Sequence, residues 1–161
     1  MVQVIPMQPE HAGAVLQIYG EGLRTGFSTF NTEIPSWEDW DRNHLPHTRL
    51  VAIAAGEVMG WVALLPVSDR HCYRGVAEFS IYIAAAHRGT GIADLLMQHL
   101  IAESEANGIW TLQSATFAEN TASLRLQERH GFRQVGYRER VAQLHGTWRN
   151  TILLERRSDR F

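Results

Sequence analysis

The sequence predicts a single mixed α/β domain, a central sheet with helices on its faces. Short β-branched and aromatic runs, with 76–83 (VAEFSIYI) the clearest, predict strands. Longer stretches with apolar residues at helical spacing, as in 92–103, predict helices between them. The length of 161 residues is enough for one hydrophobic core and suits one domain.

Residues 1–6 (MVQVIP) read as a first strand. Pro9 suits a helix start, and Val15, Ile18, Tyr19 and Gly22 follow at helical spacing. Segment 24–35 (RTGFSTFNTEIP) is irregular. A second helix opens at Ser36 with Asp39 as its capping partner, and Trp37 and Trp40 share a face. The runs RLVAIAA and VMGWVALL, joined by Gly56-Glu57, read as a hairpin of buried strands, and PVSDRHCYRG as a loop. After 76–83, Ile92, Leu95, Leu96, His99, Leu100 and Glu103 mark one face of an amphipathic helix that stops at Asn107-Gly108. IWTLQSATF is a strand, and Asn120 caps a short helix ending at Gly131. FRQVGYRERVAQL and WRNTILLER form a last hairpin around His145-Gly146-Thr147. The order is β-α-α-β-β-β-α-β-α-β-β.

A net charge of −2 argues against a nucleic-acid partner. No run approaches the ~18 apolar residues of a membrane span, and the first residues lack a secretory pattern. A cytoplasmic protein is expected. Cys72 is the one cysteine, which precludes an internal disulfide, and it reads as a packing residue. His44 and His47 are close, but Pro46 intervenes and no third ligand follows, so no metal site is expected.

The turn at 87–93 (HRGTGIA) carries the chemistry. Gly89 and Gly91 let the backbone approach a ligand, and successive N–H groups at a helix start suit a phosphate. The turn lacks the Gly-Lys-Ser/Thr ending of a nucleotide loop. A glycine-rich helix start that binds nothing is the alternative reading of these residues alone.

RGTGIA resembles the R/Q-x-x-G-x-G/A signature of the GNAT superfamily of acetyl-CoA-dependent N-acetyltransferases. ENTASLRLQERHGF resembles a second segment of that superfamily, and the element order matches it too. Within it, IYGEGLRTGFSTFNTE, YRGVAEFSIYI and HGTWRN are similar to the phosphinothricin N-acetyltransferase group. The resemblance implies a mostly antiparallel mixed sheet flanked by helices, and a homodimer. It further implies direct acetyl transfer from acetyl-CoA to the amine of a small amino-acid-like substrate, such as phosphinothricin or methionine sulfoximine or sulfone. The pyrophosphate would rest on the amides of Arg88, Gly89, Thr90, Gly91, Ile92 and Ala93. Ile81, Tyr82 and Ile83 would pair with the pantetheine arm as an added strand does, with Asn120 and Ser123 on its other side.

Acetyl transfer needs a neutral amine, a polarised carbonyl and a stabilised leaving thiolate. Glu78 lies inside an apolar strand, where burial would raise its pKa, and it matches the glutamate to which the group assigns general-base work. A strand carboxylate reaching solvent is the alternative. A backbone N–H at Ile81 or Tyr82 would polarise the carbonyl. Gln127 stands where many members carry Tyr or His, which leaves the acid role vacant or to water. His145 matches a histidine of some relatives and would handle protons or line the pocket; an exposed turn residue is the other reading. Phe27, Thr29, Phe30 and Glu33 would form one wall of the acceptor pocket, with Arg70, Arg74 and Tyr73 near the other. Relatives often carry two arginines in that loop; one matches Arg70 and the other Ser68, so one anion clamp is missing. A protein N-terminus, another metabolite amine, or a non-catalytic CoA-sensing role are the rival functions.

Overall fold

A computed structural model describes residues 1–161. In chain order its elements are β1 (Gln3–Pro6), α1 (Ala12–Thr25), α2 (Trp37–Asn43), β2 (Leu50–Ala54), β3 (Glu57–Pro66) and β4 (Val76–Ile83). There follow α3 (Ile92–Ala106), β5 (Thr111–Phe117), α4 (Thr121–Arg129), β6 (Arg133–Leu144) and β7 (Thr147–Arg157). The mixed α/β order expected from the sequence is the one observed.

The seven strands form one sheet, ordered β1-β2-β3-β4-β5-β7-β6. Every neighbouring pair is antiparallel except β4–β5. That parallel pair is short: Val76↔Thr111, Ala77↔Leu112 and Glu78↔Gln113, and then it ends. Past Glu78, β4 stays bonded to β3 as far as Ile83, and past Gln113, β5 stays bonded to β7 as far as Phe117. The sheet therefore splits between two braced halves, with Glu78 at the apex of the split.

Strand alternation assigns the two faces. Ala77, Phe79 and Leu112 are buried with Leu96, Met97 and Leu100 of α3 and Leu126 of α4. On the opposite face, Val51, Trp61 and Ala63 meet Val15, Ile18 and Tyr19 of α1 and Trp40 of α2. Glu78, Ser80 and Tyr82 share that second face, where the Tyr82 ring lies 5.0 Å from Tyr19 and 5.2 Å from Trp61.

The caps follow the local sequence. Ser36 Oγ accepts from the Asp39 amide at 3.2 Å, opening α2. Trp37 and Trp40 stack at 4.7 Å. Pro9 opens a 3-10 turn, Pro9–His11, that feeds α1 instead of beginning the α-helix itself.

Two expectations are corrected. The buried stripe of α3 is Ile92, Leu96, Met97, Leu100 and Ser104, while His99 and Glu103 are exposed. The helix lies across β1 to β4, so a row spaced by four residues faces the sheet and His99 turns to its rim. Cys72 is exposed and packs into no core, because it sits in a 3-10 turn within the β3–β4 loop, where Asp69 to Arg74 are all exposed.

Candidate active site

The split opens into a cavity of about 830 Å³. Glu78, Ser80, Ile81 and Tyr82 of β4 line one wall; Ser114, Thr116 and Phe117 of β5, with Asn120 and Ser123 of α4, line the other. Because β4 and β5 do not pair here, each has an edge open to a further extended segment.

The irregular segment between α1 and α2 roofs the cavity. Asn120 Nδ2 donates to the Phe27 carbonyl at 3.2 Å, and Arg149 Nη1 donates to the Gly26 carbonyl at 2.9 Å. Arg149 also bonds Glu119 at 3.3 Å and lies 4.4 Å over the Phe117 ring, while Phe30 meets Phe117 edge-on at 4.7 Å. Arg149 was missed in the sequence. No local pattern marks it, since its role depends on β7 lying beside β5.

Glu78 is half-buried, and burial alone pushes its carboxyl above the usual range. Beside it, burial likewise raises the Tyr82 phenol, so that group is a neutral hydroxyl. His44 stacks on Trp40 at 3.9 Å and donates from Nδ1 to the Trp40 carbonyl at 2.6 Å; burial lowers its pKa, so it stays neutral. Glu33 and Tyr19 complete the ionisable lining, and no Lys or Arg belongs to it.

The glycine turn lies at the start of α3. Gly89 and Gly91 take φ of +75° and +86°, and a Cβ on either would meet nothing within 4 Å. Gly91 is the N-cap, so no side chain satisfies the first amides of α3. Those donors and that open space fit a phosphate group, and Arg88 stands exposed beside them.

Of the other candidates, Thr29 and Phe30 line the cavity. Phe27 is exposed and contributes its carbonyl to the roof instead of its ring to the lining. Ile83 packs on the main core. Asn120 caps α4, accepting from the Ser123 amide at 3.2 Å, while also holding the roof. Arg70 and Tyr73 lie outside the lining in the β3–β4 loop, with the Arg70 guanidinium 5.5 Å over the Tyr73 ring. That loop leaves β3 just beyond Leu65, which lines the cavity and is in register with Glu78. Ser68 turns its hydroxyl to the Arg70 amide at 3.1 Å, and Arg74 lies over Trp110 at 5.2 Å. His145 is exposed with φ of +49° in the β6–β7 turn, outside the cavity. A left-handed residue followed by Gly146 suits a tight hairpin, which accounts for its place.

An open glycine turn, a strand-width split and a desolvated carboxyl at its apex together form a site with room for an extended, phosphate-bearing ligand. The chain belongs to the acetyltransferase (GNAT) family, whose model matches residues 14–132. It is 33% identical over 153 residues to the phosphinothricin N-acetyltransferase of Alcaligenes faecalis, covering 89% of this chain and 76% of that one. It is 32% identical over 147 residues to the L-methionine sulfoximine/L-methionine sulfone acetyltransferase of Pseudomonas aeruginosa, covering 88% and 86%. Its fold matches a ribosomal-protein-alanine N-acetyltransferase from Brucella melitensis, with a TM-score of 0.90, 26% identity and coverage of 97% and 99%. It also matches a phosphinothricin acetyltransferase from Sinorhizobium meliloti in complex with AcCoA, with a TM-score of 0.88, 23% identity and coverage of 97% and 88%.

Proposed function

We propose that this chain moves the acetyl group of acetyl-CoA directly to the amino group of a small amino-acid-like acceptor. The carrying observation is the β4–β5 split, with Glu78 at its apex lining a roofed cavity. The amides from Arg88 to Ala93 hold the pyrophosphate, and the open edge of β4 at Ile81 and Tyr82 holds the pantetheine arm. Glu78 takes the proton of the incoming amine, directly or through water, and its raised pKa brings it nearer that task.

The roof favours a small acceptor over a polypeptide, because its start at Gly26 and Phe27 is tied to the β5 side of the split by Arg149 and Asn120, and residues 28–35 line the cavity. Arg70, in the loop that follows β3 just past Leu65, is the candidate cation for the acceptor carboxylate. With Ser68 in place of a second arginine, and no Lys or Arg in the lining, a second anionic group on the acceptor goes unpaired. The favoured acceptors are therefore amino acids with a neutral polar side chain, as in methionine sulfone or sulfoximine. The exposed Val135, Tyr137, Val141 and Trp148 of the β6–β7 hairpin support a homodimer, and a cytoplasmic location accords with the acetyl donor.

The test is CoA release from acetyl-CoA across methionine sulfone, methionine sulfoximine, phosphinothricin and a short peptide with a free N-terminus. Sulfone and sulfoximine should exceed phosphinothricin by roughly tenfold in kcat/KM, the value of one unpaired charge contact of about 1.4 kcal/mol. Arg70→Ala should raise their KM. No release with any amino acid, or faster release with the peptide, overturns this reading.

A further inference from the structure

Gln127 stands where the family resemblance implies a proton donor, and its surroundings show what the chain has instead. The side chain is 1% exposed and lies behind the β5 wall, outside the cavity lining. Its Oε1 accepts from Ser114 Oγ at 2.5 Å. Its Nε2 donates to Thr116 Oγ1 at 2.9 Å and to Ser123 Oγ at 3.1 Å. Ser114 Oγ and Thr116 Oγ1 are themselves 3.2 Å apart.

Counting hydrogens fixes the direction of each bond, since a hydroxyl has one to give and an amide nitrogen two. Ser114 gives its hydrogen to Gln127, so Thr116 is the donor between Ser114 and Thr116. Gln127 gives both of its hydrogens, to Thr116 and Ser123. Ser123 thus receives a bond, and its own hydrogen goes to no acceptor in the chain. Ser123 lines the cavity, so the network presents one uncommitted donor to the split.

The sheet places that donor. Glu78 faces the side of α1 and α2, whereas Ser114 and Thr116 face α4 on the other side. A reacting centre held in the split meets a carboxylate from one face and a hydroxyl from the other. In the acetyl-transfer reading, the amine approaches from the first side and the thiol departs on the second.

We propose that the Ser123 hydroxyl donates a hydrogen bond to the departing sulfur of CoA, and that Gln127 is the positioning residue that keeps its hydrogen free. This rests on the acetyl-transfer reading above. As the C–S bond breaks, its electron pair passes to sulfur, and the hydrogen bond from Ser123 stabilises the anion. Ser123 keeps its proton, because an alcohol is a far weaker acid than a thiol of pKa ~8.5. The amine's proton goes to Glu78, and the thiolate is protonated by water after release. The chain then needs no acid at position 127.

The experiment measures ionisation of the CoA thiol bound to the protein, by thiolate ultraviolet absorbance against pH, with no turnover required. In the wild type the bound thiol should ionise below its free value. Ser123→Ala should cut the thiolate fraction at neutral pH roughly tenfold, the size of one hydrogen bond to a charge. Ser123→Thr should restore it, and Gln127→Met, which frees the hydroxyl to turn, should give a loss of about threefold in the same direction. Desulfo-CoA affinity should stay within about twofold in all variants, which separates the effect from lost folding or lost binding. Equal thiol ionisation in wild type and Ser123→Ala overturns the proposal alone. A bound thiol that ionises above its free value also overturns it, since Ser123 would then present a lone pair. Failure of the wild type to bind CoA overturns the acetyl-transfer reading together with it.

Discussion

Glu78→Gln separates the chemistry of the site from its architecture. The substitution keeps size and hydrogen-bonding capacity and removes the charge that burial opposes. A positioned general base contributes about 10²–10⁴ in rate, equivalent to roughly 2.7–5.4 kcal/mol of barrier. The amine of a free amino acid, raised about one unit above the usual α-amino value by its own carboxylate, is only about a hundredth neutral at pH 7, so raising the pH to 9 should return about a factor of fifty to the variant. Its kcat/KM should therefore fall at least about a hundredfold at pH 7, with the deficit narrowing to no less than about twofold at pH 9. The same variant should be more stable. Below the ordinary glutamate pKa of about 4.3 the carboxyl is protonated folded and unfolded, and costs nothing. As pH rises through the raised native value, the buried group ionises against its surroundings, so wild type loses stability that the glutamine variant keeps. Steady-state rates from pH 6 to 9 and melting temperatures at pH 4 and 7 test both halves. An unchanged rate at pH 7 would refute Glu78 as the base. A variant less stable than wild type at pH 7 would refute the burial argument.

Gly91→Ala should cost about 1–2 kcal/mol in melting experiments, because φ of +86° is left-handed, and should raise the KM for acetyl-CoA by filling the cradle. Gly56→Ala, at φ of +78° in the β2–β3 turn and likewise open, is the control: similar destabilisation with no change in that KM. Gly22→Ala would set a Cβ 2.6 Å from the Tyr82 ring. Overpacking there should cost about 1–3 kcal/mol and, because Tyr82 lines the cavity and its strand edge is assigned the pantetheine arm, raise the KM for both acceptor and acetyl-CoA.

The fold was legible because each element announces itself locally. Ser36 and Asn120 cap the helices they precede, Asn107-Gly108 ends α3, and alternation in VAEFSIYI separates Ala77 and Phe79 from Glu78 and Ser80. The glycine turn was legible for the same reason, as left-handed backbone at Gly89 and Gly91 is a local demand. What depends on which strands become neighbours was not. The end of pairing at Glu78↔Gln113 is set by how β3 and β7 hold β4 and β5 apart, and nothing in either strand's own sequence records it. Arg149 holds the roof only because β7 lies beside β5, and Gln127 reaches Ser114 and Thr116 only because α4 lies over that strand. Cys72 misled for the converse reason: a small apolar side chain says nothing of whether its loop reaches a core.

The split also explains why carboxylate and hydroxyls can coexist in so small a site. Gln113 ends the paired segment opposite Glu78, and the next residue, Ser114, already faces the other side of the sheet. A single step along β5 thus separates the basic environment an amine needs from the donor-rich one a thiolate needs. Hydrogen bonds from Ser114, Thr116 and Ser123 to the Glu78 carboxylate would lower its pKa and weaken it as a base. Here Gln127 ties all three together on the far face, and burial acts on Glu78 unopposed.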